Sequence, residues 1–265
     1  MARTKKEVSK VSSVQVKALL KVPDTEGILG QYKRLNMLDQ MEKNKKLRVF
    51  IAGQKYFGEQ VLRLCIDHPR VEVVGVSCPP EDKYIGSLAA LFEIPIIPAG
   101  TLNGDNFPDG VDLGIAAHSF DYVGRRTRYK ARLGWIGYHP SLLPLHRGRS
   151  AIEWAIRMRE PVTGGTVFWL NAGIDRGDIA YQEHVFIKPA YWAMKPKEAA
   201  RELWRLQLLP LGVHLMKQAI DDISQGIIKR TPQDPELSTF EPSTDVKDIF
   251  KPDLLMLPEG KNHKI

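Results

Sequence analysis

Residues 47–77 read LRVFIAGQKYFGEQVLRLCIDHPRVEVVGVS, and this stretch decides the fold. LRVFIAG is a short apolar run that stops at Gly53. YFGEQVLRLCIDH carries its apolar residues at helical spacing, and VEVVGVS is a second apolar run too short for a helix. A strand, a helix and a strand in so small a span make a βαβ unit, which implies a parallel sheet. The turn AGQKYFG lacks the G-x-G-x-x-G spacing of a dinucleotide site. Gly53 and Gly58 read instead as glycines where strand and helix backbones approach closely.

The same alternation continues downstream. SLAALFE reads as a helix and IPIIPA as a short strand. VDLGIAAHS is a strand, Val123–Arg132 a basic helix with a solvated face, and LGWIGYH a strand. Ser150 and Glu153 have the spacing of a capping box ahead of the helix AIEWAIRMR. GGTVFWLNAG is a strand, IDRGDIA a loop, and YQEHVFI a returning strand of alternating type. Pro196 opens a long helix over Lys197–Gln225 that Gly226 ends, and Pro210 is expected to kink or divide it. The expected class is α/β: a Rossmann-like, mostly parallel sheet with helices on both faces.

Three regions follow from the pattern. Residues 1–46 form a basic N-terminal extension, with helices expected over Val14–Val22 and Glu26–Lys43. Residues 47–226 form the main domain, and residues 227–265, rich in Pro, Asp, Glu and Ser, form an extended tail. The net charge of +7 resides in the leader: residues 1–48 hold 12 Lys/Arg against 5 Asp/Glu, and the rest of the chain balances. The body therefore has no nucleic-acid signature, and any contact with a polyanion falls to the leader. Cys65 and Cys78 make no disulfide framework and read as reduced, buried thiols of a cytoplasmic protein. No apolar run is long enough to span a bilayer, and no membrane partner or metal site is expected. The leader helices and the tail are the segments that would meet in a homo-oligomer.

Ligands of open α/β sheets lie beyond the carboxyl ends of the strands. His118 and His139 both fall at such ends and are expected to face one crevice. His139 precedes Pro140, which holds its backbone extended at the junction of strand and loop. Asp175 lies in the glycine-punctuated loop NAGIDRGDI. Alone it reads as a turn residue, but beside an imidazole it would orient the ring and favour its protonated form.

Taken together, HPSLLP followed by Arg-Gly and then GIDRGDI resembles the 10-formyltetrahydrofolate-dependent formyltransferases. The likeness runs from about Leu47 to about Gly226. It is nearest to the hydrolase domain of 10-formyltetrahydrofolate dehydrogenase, through IAGQKYFGEQV, YHPSLLPLHRGRSAIEW and GGTVFW. The resemblance implies 10-formyltetrahydrofolate as co-substrate and formyl transfer to an amine, such as a sugar or a nucleotide, through a tetrahedral intermediate. It places the catalytic histidine on His139 and the catalytic aspartate on Asp175. The pterin would lie against His118, Ser119 and Phe120 and against Leu170, Asn171, Gly173 and Ile174. Leu142 and Leu143 serve as an apolar wall there or as core. Tyr138, Ser141, His146, Arg147 and Arg149 are candidates for binding the acceptor.

One position departs from the pattern. Most members keep an asparagine two residues before the histidine, where this chain has Gly137. Loss of one oxyanion donor costs about 10²–10³ in rate. The hydrolase domain also lacks this asparagine, so a 10-formyltetrahydrofolate hydrolase is the second expectation. A folate-binding protein with a degenerate site is the third.

Overall fold

The computed structural model describes residues 45–119 and 121–244. The leader helices, Phe120 and the tail beyond Thr244 lie outside the described residues. A seven-stranded sheet organises the rest. The strands are β1 (Leu47–Gly53), β2 (Val71–Cys78), β3 (Ile96–Pro98), β4 (Leu113–Ala117), β5 (Gly134–His139), β6 (Val162–Trp169) and β7 (Ile179–Phe186). Their order is β3-β2-β1-β4-β5-β6-β7. Pairings from β3 through β5 are parallel, and β6 and β7 return antiparallel. The β1–β4 pairing, across the position where the strand order reverses, opens a crevice at the carboxyl ends.

Alternation along β1 builds two cores. Leu47, Val49 and Ile51 join one apolar cluster, and Phe50 and Ala52 join the other on the opposite face. Helix α1 (Lys55–Asp67) buries Phe57, Val61, Leu62 and Cys65 against the first. On the other face Phe50 packs edge-on to Phe107 and Trp135, with ring centroids 5.0 and 6.1 Å away. Each such fully buried side chain contributes about 1.5–3 kcal/mol. The remaining helices are α2 (Ile85–Leu91), α3 (Arg125–Lys130), α4 (Ala151–Arg157), α5 (Pro196–Leu203) and α6 (Leu209–Ser224). Gly53 and Gly58 are close-approach positions as expected: a Cβ on Gly53 would sit 2.7 Å from the Ala117 carbonyl oxygen.

Several local readings change. The basic helix is shorter than expected, only α3, and its Arg126 and Lys130 pair with Asp105 and Asp109. The capping box does not form. Ser150 has a φ of 67°, and Glu153 turns to Arg157 and Thr244 instead. The long C-terminal helix is divided in two next to Pro210. A π-helical turn over Trp204–Leu208 joins α5 to α6, and Pro210 falls in the first turn of α6, where a missing N–H is tolerated. The tail does not leave the domain at Gly226. Thr231 bridges to Ile179, and Phe240 lies alongside Arg147.

Candidate active site

β5 delivers Tyr138 and His139 to opposite faces of the sheet. Tyr138 enters the first core beside Phe57 and Trp204, and its hydroxyl donates to the Leu208 carbonyl at 2.6 Å. Burial pushes the Tyr138 phenol far above its usual range. His139 lies on the other side and is only 7% exposed.

The turn after His139 is held by side-chain bonds. Thr166 donates its hydroxyl to the Ser141 carbonyl at 2.7 Å and accepts the Leu143 N–H at 3.1 Å. Ser141 donates to the Leu145 carbonyl at 2.6 Å. The Leu143–Pro144 peptide is cis. At His146 the backbone enters the left-handed region, with φ 53°. This aims its carbonyl at His139, whose Nε2 lies 2.7 Å away. Asp175, at φ 51°, approaches from the loop after β6. Its Oδ2 accepts the Gly148 N–H at 2.7 Å and stands 3.5 Å from His139 Nδ1. Both ring nitrogens of His139 therefore face acceptors. A neutral ring can donate to only one of them, whereas an imidazolium donates to both.

The His146 side chain is committed to the interior. Its Nε2 meets Glu160 at 2.9 Å and its Nδ1 meets Glu241 at 3.0 Å. Burial alone would lower its pKa, but the two carboxylates outweigh burial and push it up to about 9. Arg147 is 7% exposed and donates Nε and Nη2 to Gln233 Oε1. Burial, then the neighbouring Arg176, pulls its pKa down, and Asp175 opposes them. Of the residues expected to bind an acceptor, Tyr138, Ser141, His146 and Arg147 thus have their polar groups taken up internally. Arg149 is exposed.

The folate candidates are spread around the strand ends. Leu170 donates its N–H to the Trp135 carbonyl at 2.7 Å, and its side chain occupies the space beside Gly137. A Cβ on Gly137 would stand 2.9 Å from Leu170 Cδ1. The position where an asparagine was expected is filled by a leucine methyl. Leu143 is buried and Leu142 half-buried against Gly164. Asn171 accepts the Gly173 N–H at 2.8 Å, and Ile174 is 59% exposed. Ser119 accepts the Asp121 N–H at 3.0 Å.

His118 does not join His139 in one crevice. With φ 60°, it turns its ring toward Trp204, the centroids 6.2 Å apart. It lines a separate hollow of about 360 Å³ with Lys55, Tyr56, Phe57, Tyr84, Trp204 and Leu209. Desolvation on its sheltered flank, then the charge of Lys55, lowers its pKa. Paired residues of β4 and β5 share a face, as Ile115 and Ile136 do, but His118 lies one residue past the end of β4 in the left-handed region and so turns away from the face that its register with His139 would give it. Glu160, Gln233 and Glu241 were not legible in the sequence. Among the described residues no cluster of His, Cys, Asp and Glu is arranged for a metal ion, and no helix is long and apolar enough to cross a membrane.

The fold, with a His–Asp pair beyond its strand ends, defines a class, and comparison gives that class a name. Residues 109–205 match the family described as formyl transferase. The chain is homologous to the mitochondrial 10-formyltetrahydrofolate dehydrogenase of Mus musculus, 31% identical over 210 residues that cover 74% of this chain and 22% of that protein. The chain thus spans about a fifth of the length of this relative and of the cytosolic 10-formyltetrahydrofolate dehydrogenase of the same organism. A 4-N formyltransferase from Francisella tularensis shares the fold with a TM-score of 0.58 at 21% identity, over 73% of this chain and 75% of that one. Phosphoribosylglycinamide formyltransferase from Anaplasma phagocytophilum does so with a TM-score of 0.57 at 21% identity, over 75% of this chain and all of the other.

Proposed function

We propose that the protein transfers the formyl group of 10-formyltetrahydrofolate to an amine, with His139 and Asp175 as the reacting pair. The observation that carries the reading is the arrangement of Asp175 Oδ2, which takes the Gly148 N–H at 2.7 Å and faces His139 Nδ1 at 3.5 Å. The two bonds of the imidazole are unequal. The short one, from Nε2 to the His146 carbonyl, anchors the ring. The contact at Nδ1 is too long for a full hydrogen bond, so this N–H is the one a substrate oxygen takes over.

In the proposed sequence the amine nitrogen attacks the formyl carbon and a C–N bond forms. The carbonyl electrons move to oxygen, and the His139 Nδ1–H stabilises the oxyanion. Asp175 accepts the proton that the amine gives up and passes it to N10 of the folate. The carbon–N10 bond then breaks, leaving tetrahydrofolate and the formylated amine. With water as nucleophile the same steps yield formate. Gly137 favours this second reading, because no side-chain amide aids the oxyanion there and Leu170 fills the space. The names of the similar proteins support folate as co-substrate: the M. musculus relative is a 10-formyltetrahydrofolate dehydrogenase, and a structural neighbour from Helicobacter canadensis was solved with folinic acid and an amino sugar nucleotide.

The test is incubation with 10-formyltetrahydrofolate, with and without amino sugars, nucleotides and charged tRNA, following tetrahydrofolate release. Release only with an amine supports transfer, and release without one supports hydrolysis. If neither occurs while folate raises the melting temperature, the chain is a folate-binding protein and the reading fails.

A further inference from the structure

The residues that touch the reacting pair are themselves held by a segment far along the chain. Gln233 stands at the junction. Its Oε1 accepts Nε and Nη2 of Arg147, at 3.1 and 2.7 Å. Its Nε2 donates to the carbonyls of Asp175 and Gly177, at 2.9 and 2.7 Å. One amide thus joins the loop that follows β5 to the loop that carries Asp175. The neighbouring tail adds its own ties: the Thr239 hydroxyl accepts the His146 N–H at 2.8 Å, and the Thr239 carbonyl accepts the Arg147 N–H at 3.1 Å.

The chemistry of this junction is unusual. A buried guanidinium ordinarily takes a carboxylate, which matches its planar fork. Arg147 is given a neutral amide oxygen instead, although Asp175 is near enough for its charge to act on Arg147. Asp175 accepts a backbone N–H and faces His139. A neutral partner for Arg147 leaves the carboxylate uncommitted. At the same time the amide's two N–H groups hold Asp175 in its left-handed backbone conformation, which a residue other than glycine adopts only under constraint.

We propose that Gln233 is a positioning residue: it occupies Arg147 and pins the Asp175 main chain, so that the Asp175 carboxylate is kept for His139. This rests on the reading of His139 and Asp175 as the reacting pair. Without the Gln233 amide, Arg147 swings onto Asp175 and withdraws it from the histidine. A glutamate at this position would serve Arg147 but would set an anionic oxygen against the Asp175 and Gly177 carbonyls, so it does not substitute.

The experiment uses the full chain and measures tetrahydrofolate release from 10-formyltetrahydrofolate under whichever condition, amine or water, supports turnover. Gln233→Ala is expected to lower kcat by about 10²-fold, the scale of a small misplacement of a reacting group, while KM for the folate stays within about twofold. Gln233→Met, which keeps the volume without the bonds, behaves alike and serves where the alanine variant does not fold. Two further readouts separate positioning from general stability. In an Asp175→Asn background, Gln233→Ala lowers kcat no further. Adding Arg147→Met to Gln233→Ala restores part of the lost rate, because the competing cation is gone.

If Asp175→Asn retains full activity, the reading of the pair fails. If Asp175→Asn is inactive but Gln233→Ala turns over normally, the pair stands and the positioning role is overturned. A Gln233→Ala loss of equal size in the Asp175→Asn background, or no recovery with Arg147→Met, also overturns it. So does a failure of both Gln233 variants to fold, which makes the residue a structural one.

Discussion

Tyr138 and His139 are adjacent on one strand, yet they are held by different physics. Tyr138 is fixed by volume: the rings of Phe57 and Trp204 lie 5.2 and 6.2 Å from its own, and one hydrogen bond anchors its hydroxyl. His139 is fixed by donors and acceptors, and these come from the turn at His146, the loop at Asp175 and, behind them, the tail at Gln233 and Glu241. A face built on volume tolerates a change of one atom. A face built on polar bonds does not, because each buried group left without its partner costs about 1–3 kcal/mol.

The largest expected effect breaks the polar face. Asp175→Asn keeps an oxygen for the Gly148 N–H but cannot take a proton, and kcat for tetrahydrofolate release should fall by about 10²–10⁴-fold. An unchanged rate, with the protein folded by circular dichroism, would show that the reaction takes place elsewhere.

Gly137→Asn probes the edge of that face. The new Cβ meets Leu170 Cδ1 at 2.9 Å, and because that methyl ends a flexible, half-buried side chain the destabilisation in urea unfolding is expected at the low end of overpacking, about 1 kcal/mol. Leu170→Ala in the same chain makes room for the amide and recovers most of that loss. If the asparagine then serves the oxyanion, amine-dependent release rises by up to about 10²-fold over the glycine chain. A paired variant that is stable but no faster would mean that an amide there does nothing for the transition state.

A smaller effect appears with pH. His146 in the folded protein titrates at about 9, above the 6.5 of an ordinary histidine. The raised value means that its carboxylate pairs stabilise the fold fully below about pH 6.5 and that this contribution is lost as the pH rises through about 9. The urea midpoint of the wild type should decline across that window, and Glu241→Ala should flatten the decline. Equal slopes in the two proteins would remove Glu241 from the account.

The smallest effect belongs to the packed face. Tyr138→Phe preserves the ring and loses one hydrogen bond, so stability should drop by about 0.5–1.5 kcal/mol with kcat unchanged. A collapse of activity here would erase the contrast between the two faces.

The packed face is also the part that the sequence discloses best. Short-range periodicity marks β1, α1 and β2, because apolar side chains at fixed spacing must share a core. His139 and Asp175 are legible for a different reason: each stands at a strand end or a glycine loop within a recognisable motif. Their supports are not legible. Gln233 is 58 residues beyond Asp175, and Glu241 is 95 beyond His146. Nothing local to either residue announces a bond across such a distance, and a tail rich in Pro, Asp and Glu has the composition of a solvated segment. The expected acceptor role of His146 and Arg147 failed to anticipate this, since a basic loop reads as available when its buried partners are unseen. The misplacement of His118 has another source: strand ends reveal height along the sheet, and a residue just past the last paired position in left-handed conformation can turn to either side.

The tail gives the site an order of assembly. A ribosome makes the sheet strands first, and by residue 226 all seven have been synthesised. Gln233, Thr239 and Glu241 follow later. A nascent chain stopped before them holds its aromatic core and its histidine, yet lacks the atoms that secure the carboxylate opposite. The bonds that pin the Asp175 main chain and Arg147 therefore become available only after every strand of the sheet has been made.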